Sequence, residues 1–202
     1  YSGWIDLLGW SGSTGSAKWG TKTSTVSNDY SGDFVDWGTN LSDDHTWYTL
    51  TDEEWHYLCN TRTNADNLKG VACINLNVDG TKYTNGLVLL PDNWSCPTSV
   101  TFKSGFAYEG SIQAYTDCQT FTLSDWQELE FAGAVFLPAS GHRYGSNVYL
   151  VQCDGGYWTA TSYIYDSSSA NYLTFDSRCA HIEKGYPRNA GRAVRLVRDY
   201  KT

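Results

Sequence analysis

Methionine is absent from the 202 residues. No apolar run approaches the ~20 residues that a membrane-spanning helix requires, so direct membrane insertion is not expected. A basic excess is missing too: 14 Lys and Arg stand against 22 Asp and Glu, a formal net charge of −8. Nucleic-acid backbones need a Lys/Arg footprint, so that balance argues against a nucleic-acid partner. None of the six cysteines stands in a Cys-x-x-Cys pair, which removes the usual zinc and dithiol motifs. No His-x-x-x-His spacing, phosphate loop or dinucleotide fingerprint occurs, and no cofactor is expected. Because the chain starts at Tyr1 and has no Met, we expect a processed or trimmed piece of something longer, so a missing leader says nothing of export.

What is present is aromatic and small. Nine Trp, 15 Tyr and 19 Gly, with only 18% charged residues, favour a loop-rich fold with much β structure. The length suits one domain that buries roughly 70% of its unfolded surface. An even number of cysteines in such a chain fits an exported protein with disulfides, with Cys59–Cys73 and Cys96–Cys118 favoured as sequence neighbours. Buried free thiols are the equal alternative.

Residues 1–47 show no helical period. Trp4, Trp10, Trp19, Trp37 and Trp47 lie among Gly, Ser and Thr, and we expect them to pin a leading segment to the core rather than form a carbohydrate platform. The remaining 48–202 reads as the main domain. Thr51-Asp52-Glu53-Glu54 is a capping box, with Trp55 and Leu58 on the buried face of the helix it starts. Ser124-Asp125-Trp126-Gln127 reads as a second box, and Trp126 and Leu129 repeat the spacing. The phrases Thr49-Leu50-Thr51-Asp52 and Thr122-Leu123-Ser124-Asp125 are near copies, either a worn duplication or two solutions to one local problem. Gly70–Leu76 and Asn85–Pro91 read as strands joined by a turn near Asp79-Gly80, and Ser95–Thr120 as a surface excursion.

The last third is the most informative. Gly156–Thr161 reads as a strand. In Asn171–Asp176, Leu173 and Phe175 point one way and Tyr172, Thr174 and Asp176 the other, the period of a half-buried antiparallel strand. Arg192–Arg198 closes the chain. The connections Tyr163–Ser169 and Arg178–Asn189 are rich in Tyr, Ser, Asp, Asn and His, the composition of binding loops. Arg188, Arg192, Arg195 and Arg198 read as surface charges, one or two of which brace the loops from below.

Leu89-Leu90-Pro91-Asp92, Ala134 through Arg143, Gly156 through Thr161 and Gly191 through Val197 stand in an order that resembles a known group. These are C-type-lectin-like surface domains of gut bacteria, of the major-paralogous-domain type. That group is similar to the formylglycine-generating-enzyme fold and to retroelement-diversified variable proteins such as the phage major tropism determinant. The resemblance covers roughly residues 45–199. It implies an α+β, C-type-lectin-like fold with antiparallel sheet, two flanking helices and long loops. It further implies non-catalytic recognition, at a cell or virion surface, of a protein or glycan ligand on another cell surface. Diversified members randomise adenine positions of Asn codons, and Tyr163, Tyr165, Asp166, Arg178, Cys179, His181, Tyr186 and Asn189 are reachable that way. Glu183 and Lys184 are not, a departure from the pattern. The implied ligand-binding set is Tyr163, Tyr165, Asp166, Tyr172, Thr174, Asp176, Arg178, His181, Tyr186 and Asn189.

Calcium does not follow from the resemblance, since the Glu-Pro-Asn, Gln-Pro-Asp and Trp-Asn-Asp triplets of calcium-dependent sugar binding are absent. Asp43-Asp44 and Asp52-Glu53-Glu54 are acidic clusters, but hard cations need six to eight converging oxygens. A formylglycine-generating enzyme would need a redox-active cysteine pair that no motif marks. Cys179 and His181, two apart on a strand, face one side, yet nothing in the sequence marks His181 or His142 as a base. A structural or pilus-tip subunit with a fixed ligand is the remaining alternative.

Overall fold

The computed structural model describes residues 8–11, 33–41, 47–77, 79, 81–106, 115, 118–145 and 147–199. Trp4, Trp19, Asp43, Asp44, His45 and Gly80 lie outside these residues. After strand β1 (Trp47–Thr49), the Thr51 hydroxyl accepts from the Glu54 amide while the Thr51 amide donates to the Glu54 carboxylate. This capping box starts helix α1 (Asp52–His56), which runs on as a π-helical turn over Tyr57–Thr61. Trp55 is buried by it and Leu58 packs against the same core, as the spacing predicts. Strands β2 (Lys69–Asn75) and β3 (Tyr83–Leu89) follow as an antiparallel pair, each beginning one or two residues earlier than the sequence suggests.

The excursion after β3 is not wholly superficial. Trp94, Val100 and Phe102 pack on a core, and β4 (Gln119–Phe121) runs parallel to β2, a pairing with no local sequence signal. Helix α2 (Leu123–Phe131) is capped two residues before the expected position, Ser124. Its N-cap is Thr122, whose hydroxyl accepts from the Asp125 amide while Asp125 reaches back to the Thr122 amide. Strand β5 (Val135–Pro138) then pairs with β3, completing a sheet of order β4-β2-β3-β5. A short hairpin of β6 (His142–Tyr144) and β7 (Asn147–Tyr149) leads into a meander of β8 (Gly155–Ser162), β9 (Ser169–Phe175) and β10 (Ala180–Pro187). The closing strand β11 (Leu196–Arg198) is shorter than expected and pairs with β1.

Side-chain alternation turns these sheets into layers. Val71, Leu87 and Leu89 face a central core shared with Trp55 of α1 and with Tyr157, Leu173 and Phe175 of the meander. Ala72, Ile74 and Val88 face the opposite way, onto Trp126 and Leu129 of α2. The outer face of the meander carries a third cluster of Trp158, Ala170 and Tyr172, over which Trp10 lies. Over the described residues the fold is thus mixed α+β, mostly strands with two short helices.

All six cysteines are thiols, so neither Cys59–Cys73 nor Cys96–Cys118 is a disulfide. Cys59 sits inside the central core, where burial pushes its thiol up to about 11.

Candidate functional site

Register decides which side chains meet. Across β9 and β10, His181 opposes Thr174 and Glu183 opposes Tyr172, which puts all four on the outer face of the meander. Cys179 joins them by alternation. The turn between the strands is fixed by Asp176, whose carboxylate accepts from the amides of Arg178 (2.7 Å) and Cys179 (3.2 Å) and from Arg178 Nε (2.9 Å). Aspartate favours this kind of turn because its side chain mimics a backbone acceptor.

These residues border an open cavity of about 310 Å³, together with Leu150, Cys153, Asp154 and Phe175. Leu150 and Gln152 adopt left-handed backbone conformations at φ 58° and 66°, an unfavourable choice for such residues. Hydrogen bonds to β3 hold the turn there. Gln152 Oε1 accepts from the Asn85 amide at 2.6 Å, and Asn85 Nδ2 donates to the Gln152 carbonyl at 3.0 Å. The strained turn thereby delivers Cys153 and Asp154 to the cavity wall.

Two carboxylates at this cavity behave oppositely. Burial pushes Asp154 above the usual carboxylate range, against the opposing pull of Arg192 and a 3.1 Å hydrogen bond from Thr174. Burial pushes Asp176 up as well, but the side-chain and backbone donors of Arg178 outweigh it and hold Asp176 low. Beyond them, Cys179 Sγ lies 3.6 Å from His181 Nδ1, and His181 Nε2 lies 3.1 Å from Glu183 Oε2. Among the described residues, no group of three or more His, Cys, Asp or Glu is arranged to hold a metal ion.

Five of the ten residues singled out by sequence, Tyr172, Thr174, Asp176, Arg178 and His181, converge here. Tyr172 is nonetheless only 8% exposed, because Trp158, Tyr186 and Arg192 pack around its ring. The outer face is right, but display of that ring is not. Asn189 is 9% exposed in the turn after β10, and Tyr186 packs against His142 as well as Tyr172, so neither projects as a free recognition side chain. Tyr163, Tyr165 and Asp166 occupy the β8–β9 turn, at the far end of a strand that spans about 20 Å at ~3.3 Å per residue. There Tyr165 is 81% exposed against Tyr163, while Asp166 accepts from Ser168 and Ser169 and serves the turn.

Arg188 and Arg192 are buried and are not surface charges. Arg188 Nε donates to the Ser169 carbonyl at 3.1 Å and its guanidinium lies over Trp10, a brace of the expected kind. Arg192 sits over the rings of Tyr172 and Tyr186 at 3.5 and 4.2 Å. Arg195 and Arg198 are exposed, as expected. Sequence reasoning missed Cys153 and Asp154, which precede β8 in a stretch with no periodic signal. A second concavity of about 410 Å³, between α1, β5 and β11, is apolar and takes in none of the ten. Comparison with known proteins finds no relative: no family model, no curated protein and no solved structure matches the chain.

Proposed function

We propose that the chain is a C-type-lectin-like recognition domain that works at a cell or virion surface, binding a protein ligand through the outer face of the β8–β9–β10 meander. The observation that carries this reading is the convergence of Thr174, Asp176, Arg178 and His181, from two strands and the turn between them, on one open polar cavity. Leu173 and Phe175 anchor the same strand in the central core, so the polar positions ride on a rigid frame. Asp154, Asp176 and Glu183 outnumber Arg178, and the whole chain carries −8. A ligand surface of net positive charge is therefore favoured, with association weakened by salt. Tyr163 and Tyr165 extend the contact area at the far turn.

The test is an array of bacterial surface proteins and glycans probed with the wild-type chain and with an Arg178→Ala/Glu183→Ala double variant. Both side chains are exposed and the amides of residues 178 and 179 still hold the Asp176 turn, so the variant should stay folded and lose the wild-type hits. Hits that persist unchanged would place recognition elsewhere. Sequencing the 3′ end of the gene across a source population addresses diversification. We expect substitutions at adenine positions of the codons for Thr174, Asp176, Arg178 and His181, with Leu173, Phe175 and Trp158 constant. An invariant 3′ end removes diversification and leaves a fixed-ligand adhesin, a structural subunit or an enzyme.

A further inference from the structure

The cavity holds an arrangement that recognition alone does not use. Cys179, just before β10, and His181 and Glu183 on it form a continuous thiol–imidazole–carboxylate line, with contacts of 3.6 and 3.1 Å. An ionised Glu183 can only accept, so it holds the proton of His181 on Nε2 and leaves Nδ1 as an acceptor facing the thiol. That is the orientation in which an imidazole acts as a base toward a cysteine. Among the described residues the buried Tyr115 hydroxyl has no hydrogen-bond partner, and it lies close enough to Asp176 and Asp154 to feel their charges.

We propose that Cys179, His181 and Glu183 form an acyl-accepting nucleophilic site for small neutral or cationic esters and thioesters. In the forward step the Cys179 thiol gives its proton to His181 Nδ1 as sulfur attacks the acyl carbon. A carbon–sulfur bond forms, the bond to the leaving alkoxide or thiolate breaks, and His181 returns the proton to that leaving group. Water then attacks the acyl-cysteine, giving one proton to His181 and its hydroxyl to the acyl carbon; the carbon–sulfur bond breaks, and His181 returns the proton to sulfur, which restores the thiol and releases the acid. Asp176 lies 3.9 Å from the sulfur. Burial first, and the Asp176 charge after it, raise the thiol's hold on its proton, so a base within reach of the sulfur is needed during the attack. Asp154 and Asp176 together disfavour an anionic acyl group. Arg178, paired with Asp176, and Tyr172 complete the wall facing the line.

p-Nitrophenyl acetate is the probe, and the acetylated cysteine is located by peptide mass spectrometry. Cys96, exposed and remote from any histidine in the chain order, is the reference thiol within the same molecule. At neutral pH we expect Cys179 to be acetylated faster than Cys96 by roughly tenfold or more, the low end of general-base catalysis and below. His181→Asn should remove that advantage and Glu183→Gln should reduce it several-fold. Equal rates at Cys179 and Cys96, or an advantage that survives His181→Asn, would overturn the proposal. If a variant does not fold, the wild-type comparison is read alone: acetylation of Cys179 no faster than that of Cys96 overturns the proposal. Because the probe is the ester itself, this outcome does not depend on whether a protein ligand is found.

Discussion

Phe175 is 1% exposed, and its ring lies where a Cβ on Gly155 of the neighbouring strand would have to go. The two positions make one contact that can be broken from either side. Phe175→Ala should cost about 3–5 kcal/mol, the usual range for emptying a buried aromatic site. Gly155→Ala should cost about 1–3 kcal/mol by overpacking, since the added methyl would overlap the Phe175 ring. Both are read by chemical denaturation, and a cost within ~0.5 kcal/mol for Phe175→Ala would place the ring on the surface. Asp154 offers a prediction of different sign. Its folded value is raised, so the proton binds more readily to the folded than to the unfolded chain. Its favourable contribution is complete below the ordinary carboxylate value of ~3.9 and is lost as pH rises through the raised folded value. Asp154→Asn, which keeps an acceptor for Thr174, should therefore be more stable than wild type near neutral pH, with the gain shrinking in acid. Equal stability at both ends would mean that the carboxylate is as well solvated folded as unfolded.

At the scale of elements, the two near-identical phrases before the helices do different work. In the first, Thr51 caps and Glu54 reciprocates; in the second, Thr122 caps and Asp125 reciprocates. The caps occupy the third and the first position of the two phrases, so the likeness is not a shared structural register and does not support a duplication. Thr122→Ala should cost about 1 kcal/mol, the usual value of an N-cap hydroxyl. Ser124→Ala, at the cap position the sequence suggests, should change stability by less than ~0.5 kcal/mol. The reverse ranking in thermal melts would return the cap to Ser124.

Across the whole molecule, the outer face of the meander is only partly free because the leading segment lies over it. Trp10 Nε1 donates to the Thr159 carbonyl and Trp158 Nε1 to the Leu8 carbonyl, each at 2.7 Å, while Leu8 and Arg192 exchange backbone hydrogen bonds. Trp10 also roofs Arg188. Trp10→Ala should accordingly cost about 3–5 kcal/mol, a large fraction of the stability of a domain. It should also raise the solvent exposure of Tyr172, seen as a change in tyrosine and tryptophan fluorescence. The thiols give a second whole-chain measurement. Titration with a thiol reagent in denaturant, without reductant, should count six, and Cys59 should react only after unfolding. A lower count would reveal disulfides.

The sequence alone determined what depends on neighbours along the chain. The Thr51 capping box, the Trp55 and Leu58 face, the strands around Val71, Leu87 and Trp158, and the split of Leu173 and Phe175 from Thr174 and Asp176 are all local patterns. They follow from helix and strand periods that any neighbouring residues would feel. Tertiary structure decided what those patterns face. The same alternation that turns Tyr172 outward places it beneath Arg192 and Tyr186, because a segment some 160 residues away in sequence covers that face. Arg188 and Arg192 look like surface charges until Trp10 and three aromatic rings close around them. Asp154 joins Asp176 only because Asn85 on a distant strand holds the turn before β8. A one-dimensional pattern fixes which way a side chain points relative to its own backbone. Whether it meets solvent, a ring or another charge is set by long-range pairing, and there the candidate site was made.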